Sequence, residues 1–339
     1  MDNQLHPRAQ LQLVGHQQTF DQLSKAFTST SFPPVWLLVG EKGIGKATLA
    51  YCFARLILAS SYDNQQMIAR QTAIGAYPNL ITLEKEVDSD GKIKREISID
   101  VVRNAMATLR QSPAIPGWRV VIVDAIDEMN RNAANALLKI LEEPPIKTVI
   151  LLVCHAVGNV LPTIRSRCCQ IPVHPLNDQE IMGILDGSPA EKSVLIKLAR
   201  GSLGRALNLQ KIGANTLIQE LLHLFDTIFK GDFRSIQTFA DRISKDEDAF
   251  VYILDLLQEC IYRLILYAHK GEDSSKDVKA FDQLLHRRPV SHWIEVWQRL
   301  HAFSTLAKTS SLDKKHTLMA AFFILENPHS GDCFLKIAV

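Results

Sequence analysis

The feature that most constrains the fold is a glycine-containing segment between an apolar run and a helical stretch. The run Val35–Val39 is followed by Gly40-Glu-Lys-Gly-Ile-Gly-Lys46, and a helical pattern begins at Lys46. A loop with this spacing leaves backbone N–H groups free at a helix N-terminus, and a lysine beside them can bind phosphate. The sequence therefore predicts a phosphate-binding loop, with Gly40, Gly43, Gly45 and Lys46 as candidate residues.

The surrounding pattern places this loop in an α/β domain. Short apolar runs rich in leucine or β-branched residues alternate with helical patterns, which is typical of a parallel sheet covered on both faces. The four runs are Val35–Val39, Leu80–Leu83, Arg119–Val123 and Thr148–Val153, and the helical patterns are Lys46–Ser60, Ile99–Arg110 and Arg131–Glu143. After Pro175 only helical patterns follow, so the second half is predicted to be all-helical.

The residue after the loop lysine is unsuited to magnesium. Ala47 stands where a serine or threonine would ligate the ion in a phosphate loop of this kind. Thr48 is one residue later, and its side chain is rotated about 100° around the helix. Phosphate binding could survive this change, with Thr48 kept as a candidate binding residue, while magnesium would be held poorly.

A second departure follows the strand at Val120–Asp124. Asp124 is the candidate magnesium-side acid, but Ala125 comes next, where a glutamate would orient the attacking water in an active ATPase. Asp127 and Glu128 lie in the loop beyond the strand, and they are expected to cap a helix or face solvent. The isolated chain is therefore predicted not to hydrolyse ATP.

Three further segments carry a resemblance. Asn132–Pro145, which contains Leu-Glu-Glu-Pro-Pro, the segment Leu161–Cys168 with its Ser-Arg-Cys, and Gly201–Leu207 are similar to motifs of bacterial clamp-loader subunits. Together with the altered phosphate loop, they resemble the delta-prime family of DNA polymerase III subunits, which are AAA+ relatives. The motifs extend as far as Leu207, and beyond it only the helical character agrees.

The resemblance implies a fold in three parts. An AAA+ α/β P-loop domain with a RecA-like parallel sheet is expected at 1–175, and a small helical lid at 176–212. An all-α collar domain, through which such subunits form a ring, is expected at 213–339.

The resemblance also implies roles for single residues. Arg167 of the Ser-Arg-Cys motif is the candidate arginine finger, which would reach a neighbouring subunit's ATP site in trans. On composition alone, Arg165 is an equally plausible arginine for this finger role. The structural alternative for Arg167 is an arginine at a helix edge that pairs with a carboxylate. Arg205 matches the sensor-2 region, where a nucleotide contact and a structural role are both open. His155 lies near the sensor-1 position, and a structural role is expected for it.

The function implied is that of a non-catalytic subunit of the DNA polymerase III clamp loader. Its partners would be a motor ATPase subunit and a delta-type subunit of a DNA-directed DNA polymerase holoenzyme. The sliding clamp and primer–template DNA would be met through the complex. No cofactor would be required, although ATP or ADP could bind without hydrolysis. The alternatives are an active AAA+ motor ATPase, opposed by Ala47 and Ala125, and a P-loop enzyme that phosphorylates a small metabolite, opposed by the long helical second half.

Composition excludes some other classes. The 38 Lys+Arg and 36 Asp+Glu residues leave a formal net charge of +2, too small for a free-standing electrostatic DNA binder. No run approaches the ~20 apolar residues of a membrane span, and no signal-peptide pattern is visible, so a cytoplasmic protein without membrane contact is expected.

The cysteines predict thiols and no zinc site. The six cysteines are scattered without a C-x-x-C spacing. Many members of the resembled family carry a four-cysteine zinc module after the P-loop helix. Here no cysteine lies between Cys52 and Cys154.

Overall fold

The computed structural model describes residues 6–61, 64–88, 93–270, 278–309 and 312–328. The chain forms two compact units. The first comprises Met1–Ile184 with Arg200–Gly204, and the second comprises Leu185–Ala199 with Arg205–Val339. The boundaries expected for a lid at 176–212 and a collar at 213–339 stay predictions.

A five-stranded parallel sheet forms the centre of the first unit. Its strands are β1 (Val35–Val39), β2 (Leu80–Glu84), β3 (Arg119–Asp124), β4 (Thr148–Cys154) and β5 (Cys169–Pro172). The spatial order is β2-β3-β4-β1-β5, with parallel pairing throughout. The predicted parallel α/β sheet is confirmed. The short strand β5 was not predicted, because its four residues include an exposed glutamine and a proline and so make no apolar run.

The described residues of the first unit also form seven α-helices. They are α1 (Gln17–Phe27), α2 (Lys46–Ala59), α3 (Gln65–Ala73), α4 (Ile99–Arg110), α5 (Arg131–Glu142), α6 (Pro162–Arg165) and α7 (Asp178–Met182). The sequence predicted α2, α4 and α5. It did not predict α1, whose N-cap residue His16 has a left-handed backbone and makes no capping hydrogen bond with its side chain, so the usual start signal is missing.

Strand side chains alternate between two cores. Trp36 and Leu38 of β1 pack in the layer that contains α2, whereas Val35 and Leu37 pack in the layer that contains α4 and α5. Burial on both faces explains why the strands have continuous apolar sequences. Since all strands are parallel, β1, β3 and β4 end at one edge of the sheet, where the phosphate loop and Asp124 are found.

The second unit is helical throughout its described residues. Its helices are α8 (Pro189–Ala199), α9 (Leu203–Lys211, whose first two residues belong to the first unit), α10 (Ala214–Ile228), α11 (Phe233–Ile243), α12 (Glu247–Lys270), α13 (Val278–Arg287), α14 (Val290–Thr309) and α15 (Lys314–Glu326). The spacing of Ile253, Leu257 and Leu264 predicts one apolar face on α12, and all three side chains are completely buried. Among the described residues, no helix has the length and apolarity needed to cross a membrane.

Two smaller expectations fall partly outside the described residues. The polar, glycine-containing segment Asp88–Arg95 predicts a surface turn. Val87 and Ile93 form an antiparallel bridge around it, but residues 89–92 lie outside the described residues. Of the cysteines, Cys154 and Cys260 are buried free thiols and the others described are half-buried. Cys333 lies outside the described residues.

Candidate functional site

The predicted phosphate loop joins β1 to α2. Gly43 and Gly45 have φ angles of 82° and 105°, a left-handed conformation that favours glycine. In the described residues no hydrogen bond uses the backbone N–H groups of residues 43–46, and Gly45 caps α2 without a side chain. Unpaired N–H groups next to a helix N-terminus are suited to an anion. The loop therefore retains the backbone arrangement of a phosphate site.

The loop lysine is turned onto the loop itself. Lys46 Nζ donates to the carbonyl oxygen of Gly40 at 2.6 Å and also to that of Glu41. Only 2% of Lys46 is exposed. Burial lowers its pKa to about 8, although the charges of Asp124 and Asp127 oppose this shift. The ammonium group is thus held by backbone carbonyls.

Distant segments of the first unit bind the remaining loop carbonyls. Three donors reach them: His16 Nε2 to Ile44 O at 2.7 Å, Ser202 Oγ to Lys42 O at 3.2 Å, and Gly204 N to Gly43 O at 2.9 Å. A Cβ atom on Gly204 would lie 3.2 Å from Gly43 O, so glycine permits this approach. Sequence reasoning missed all three donors, because none has a local signal that links it to the loop.

Gly40 is required for close packing. A Cβ atom at this position would lie 2.3 Å from the carbonyl oxygen of Val173, which follows β5, and 2.8 Å from Ile44 Cδ1. The glycine therefore allows the backbone after β5 to approach the start of the loop. This reason is independent of phosphate.

The magnesium-side residues are arranged unfavourably for the ion. Ala47 and Thr48 are half-buried in the first turn of α2, and Ala125 is 1% exposed. Burial raises the pKa of Asp124 to about 6, and the nearby carboxylates of Glu84 and Glu128 raise it further toward that value. A hydroxyl ligand is missing at position 47, and no glutamate follows Asp124, so the residues present do not fit a magnesium–ATP centre. Among the described residues, no group of three or more His, Cys, Asp or Glu is placed to hold a metal ion.

The N-terminal segment supplies a neighbour that the sequence did not reveal. Glu84, the residue of β2 paired in register with Asp124 of β3, lies 3.3 Å from His6 Nε2 and 3.7 Å from Arg8 Nη1. The hydrogen bond from His6 lowers the pKa of Glu84. Glu84 is thereby kept ionised beside Asp124, which adds to the difficulty of ionising Asp124.

Asp127 and Glu128 are both engaged by protein groups. Asp127 accepts hydrogen bonds from the backbone N–H groups of His155 and Ala156, each at 2.9 Å, and so caps the turn after β4. Glu128 forms ion pairs with Lys42 at 2.9 Å and Lys85 at 2.8 Å. The capping expectation fits Asp127, whereas solvation is wrong as a description of Glu128.

His155 is neutral at physiological pH. Burial lowers its pKa to about 4, and the charge of Lys46 acts in the same direction. Its Nδ1 atom is buried without a hydrogen-bond partner in the described residues. The histidine therefore adds no positive charge to the loop.

Arg167 lies on the surface just after α6. Its Nη2 donates to Glu142 Oε1 at 2.6 Å, and its Nη1 donates to the Thr163 carbonyl oxygen at 2.8 Å. Arg165 differs, since its Nε is buried without a partner in the described part of the chain. Of the two arginines, Arg167 is the exposed one. This ion pair with Glu142 is the contact expected for a structural arginine at a helix edge, and the finger role of Arg167 stays a prediction.

Arg205 is bound within the second unit. Its Nε donates to the Leu198 carbonyl oxygen at 2.9 Å, its Nη2 donates to Asp255 Oδ2 at 3.1 Å, and its guanidinium lies over the Tyr252 ring at 5.8 Å. These contacts are structural, joining the end of α8 to α12. A contact between Arg205 and nucleotide stays a prediction.

The strand order, with a phosphate loop after the first strand and helical segments after the sheet, defines a P-loop protein of the AAA+ class. Residues 15–177 match the family model described as DNA polymerase III, delta subunit. The chain is 35% identical over 177 residues to DNA polymerase III subunit delta' of Pseudomonas aeruginosa, covering 49% of this chain and 52% of that protein. Over this region the chain is similar to delta-prime subunits of DNA polymerase III, which confirms the resemblance carried by the sequence motifs.

Other relatives are more distant. The chain is 25% identical to DNA polymerase III subunit gamma of Buchnera aphidicola (60% of this chain, 58% of that protein) and 26% identical to replication factor C subunit 5 of Mus musculus (60% and 57%). It thus spans between half and three fifths of the length of these relatives. Among solved structures, a gamma subunit-related protein of Thermotoga maritima is 20% identical with a TM-score of 0.44, covering 91% of this chain and 98% of that one.

Proposed function

We propose that this chain is a non-catalytic subunit of the DNA polymerase III clamp loader. It would assemble in a ring with a motor ATPase subunit and a delta-type subunit, and offer Arg167 to a neighbour's ATP site. One observation carries this proposal in a chain similar to delta-prime subunits: the ammonium group of Lys46 is buried and bound to carbonyl oxygens of its own loop.

The arrangement around Lys46 supports the non-catalytic role. No hydroxyl directly follows the lysine, and no glutamate follows Asp124 to orient an attacking water. The free backbone N–H groups of residues 43–46 support a further part of the proposal, namely that ATP or ADP binds without being hydrolysed. Loss of turnover is compatible with such binding, because hydrolysis needs both the metal and an oriented water.

The exposure of Arg167 supports the role in trans. A guanidinium has five N–H donors, and no hydrogen bond of the described residues uses Nε of Arg167. Donors therefore remain for a γ-phosphate on another subunit, where a planar cation stabilises the charge that develops in the transition state.

The remaining partners follow from the same assignment. We place the sliding clamp and primer–template DNA in contact with the assembled ring, and the protein in the cytoplasm, where replication takes place. A net charge of +2 is compatible with a subunit whose surfaces mainly contact other proteins.

The test is ATP turnover by a reconstituted complex that contains Arg167→Ala. Turnover at the ATP site that this arginine faces is expected to fall by about 10³-fold or more. The total turnover of the complex should fall only by the fraction that this site contributes to it. Arg70→Ala, which removes an exposed arginine of α3, is the matched control and should leave the rate unchanged. An unchanged rate with Arg167→Ala would contradict the finger assignment.

The isolated chain distinguishes the alternative of an active motor ATPase. The purified wild-type chain is expected to show no ATP turnover with or without magnesium. Turnover that Lys46→Ala abolishes would replace the non-catalytic assignment with the motor one.

A further inference from the structure

Glu142 and Arg167 form an ion pair that the proposed function does not include. Glu142 is the last residue of α5, and Arg167 follows α6. Their side chains are 49% and 35% exposed, and the Nη2–Oε1 distance is 2.6 Å. The contact joins two segments that are 25 positions apart in sequence. Both residues lie in the first unit.

The contact determines where the guanidinium lies. One side of Arg167 is held by the Thr163 carbonyl oxygen at 2.8 Å, with a longer contact of 3.4 Å to Ser166 Oγ, and the other side is held by Glu142. Without the carboxylate, only contacts from within the same turn would remain. A long arginine side chain would then sample other rotamers, and it would lose that freedom when it binds an anion.

Stabilisation of the fold is a poor explanation for Glu142. A carboxylate in the last turn of a helix is disfavoured by the helix dipole, and an exposed ion pair contributes little to stability. Glu143, the next residue, is also exposed and is not bonded to an arginine in the described residues. The chain thus offers two carboxylates at one helix end, of which only one contacts the candidate finger.

We propose that Glu142 is a positioning residue for Arg167: it holds the guanidinium at the surface in the orientation in which it meets the γ-phosphate of a nucleotide bound by the neighbouring subunit. This inference rests on the proposed function. Carboxylate and phosphate bind a guanidinium with similar planar geometry. Glu142 and Thr163 use one donor on each side, and Nε remains for the phosphate. Glu142 itself does not touch nucleotide.

The experiment compares Glu142→Ala, Glu142→Gln and Glu143→Gln in the reconstituted complex, isolated by gel filtration so that only assembled rings are measured. Both Glu142 variants are expected to lower kcat at the site that Arg167 faces by roughly 3- to 10-fold, with KM for ATP unchanged. Glu142→Asp should recover part of the rate. Glu143→Gln should match wild type, and the melting temperatures of the isolated Glu142 variants should also match wild type.

A double-mutant cycle separates this inference from the proposed function. If Glu142 acts through Arg167, Glu142→Ala has no further effect in an Arg167→Ala background. Suppose that Arg167→Ala lowers the rate but Glu142→Ala leaves it unchanged or raises it. The finger role of Arg167 is then supported, and the positioning role of Glu142 is overturned. An effect of Glu142→Ala that persists without Arg167 also overturns it. If Arg167→Ala changes nothing, the finger role fails and the positioning role fails with it.

Discussion

Three ionisable side chains at the end of the sheet are all shifted toward their neutral forms. Burial lowers the pKa of Lys46 to about 8 and that of His155 to about 4, and it raises that of Asp124 to about 6. Binding of magnesium and triphosphate depends on the charged forms of the lysine and the aspartate. At neutral pH the lysine and the aspartate still remain mostly charged, so burial makes their charged forms more costly without removing them.

Asp124 should make the stability of the protein depend on pH. Its pKa rises from 3.8 to about 6 on folding, so the folded protein binds this proton more tightly than the unfolded chain. The contribution of Asp124 to stability is then largest below pH 4, falls as the pH rises from 4 through 6, and stays lower above. The free energy of unfolding of Asp124→Asn, measured with urea, is expected to exceed that of wild type by about 2 to 3 kcal/mol at pH 7.5. Near pH 4 the two values should be equal.

Asp100→Asn is the control for this measurement. The Asp100 side chain is 77% exposed, so its replacement should leave the pH profile unchanged. If the difference in unfolding free energy between Asp124→Asn and wild type stayed constant from pH 4 to 6.5, the raised pKa of Asp124 would be contradicted.

At the scale of elements, two ion pairs connect α9 to α12 and differ in burial. Arg205 and Asp255 have side chains 33% and 19% exposed, whereas those of Lys211 and Asp248 are 53% and 64% exposed. Arg205 also binds the end of α8 through the Leu198 carbonyl oxygen. The first pair should therefore hold the helices together more strongly than the second.

Arg205→Ala is expected to lower the free energy of unfolding by about 1 to 3 kcal/mol, because it leaves Asp255 and a helix-end carbonyl short of a donor. Lys211→Ala should change it by less than about 0.5 kcal/mol, as an exposed pair does. Urea unfolding of both variants checks the difference. Equal effects would show that burial does not distinguish the two pairs.

The elements that could be predicted from sequence are those with a local signal. The strands β1 to β4 have continuous apolar runs, and α2, α4 and α5 have periodic faces, whereas β5 is too short and α1 lacks a capping side chain. In the site, glycine spacing predicted the loop, and Ala47 and Ala125 are read directly from the sequence at the positions where a hydroxyl and a glutamate would stand. The contacts of His16, Ser202 and Glu84 could not be predicted, because they join polar side chains to distant segments that only the fold brings together.

At the scale of the whole molecule, the sheet unit and the helical unit can be observed separately. Of the four tryptophans, Trp36 and Trp118 belong to the first unit, and Trp293 and Trp297 belong to the second. A chain that ends before Asn215 loses α10 to α15 and both tryptophans of the second unit. Its remaining fluorescence then reports on the sheet unit alone.

Removal of residues from Asn215 onward is expected to abolish assembly with the other clamp-loader subunits, as judged by co-elution in gel filtration. The reason is that residues 213–339 are the proposed collar, and the deletion removes the helices α10 to α15 described there. Tryptophan fluorescence verifies that the sheet unit remains folded. A truncated chain that is folded and still joins the ring would contradict the collar assignment.

The close contact at Gly40 bears on how such a chain changes over generations. Because any side chain at this position would meet the Val173 carbonyl oxygen at 2.3 Å, folding alone requires glycine here, whether or not the loop takes part in ATP hydrolysis. Position 47 is half-buried in the first turn of α2 and is free of that restriction. Glycine at position 40 is therefore no evidence of ATPase activity, and the residue at position 47 is the more informative one for that question.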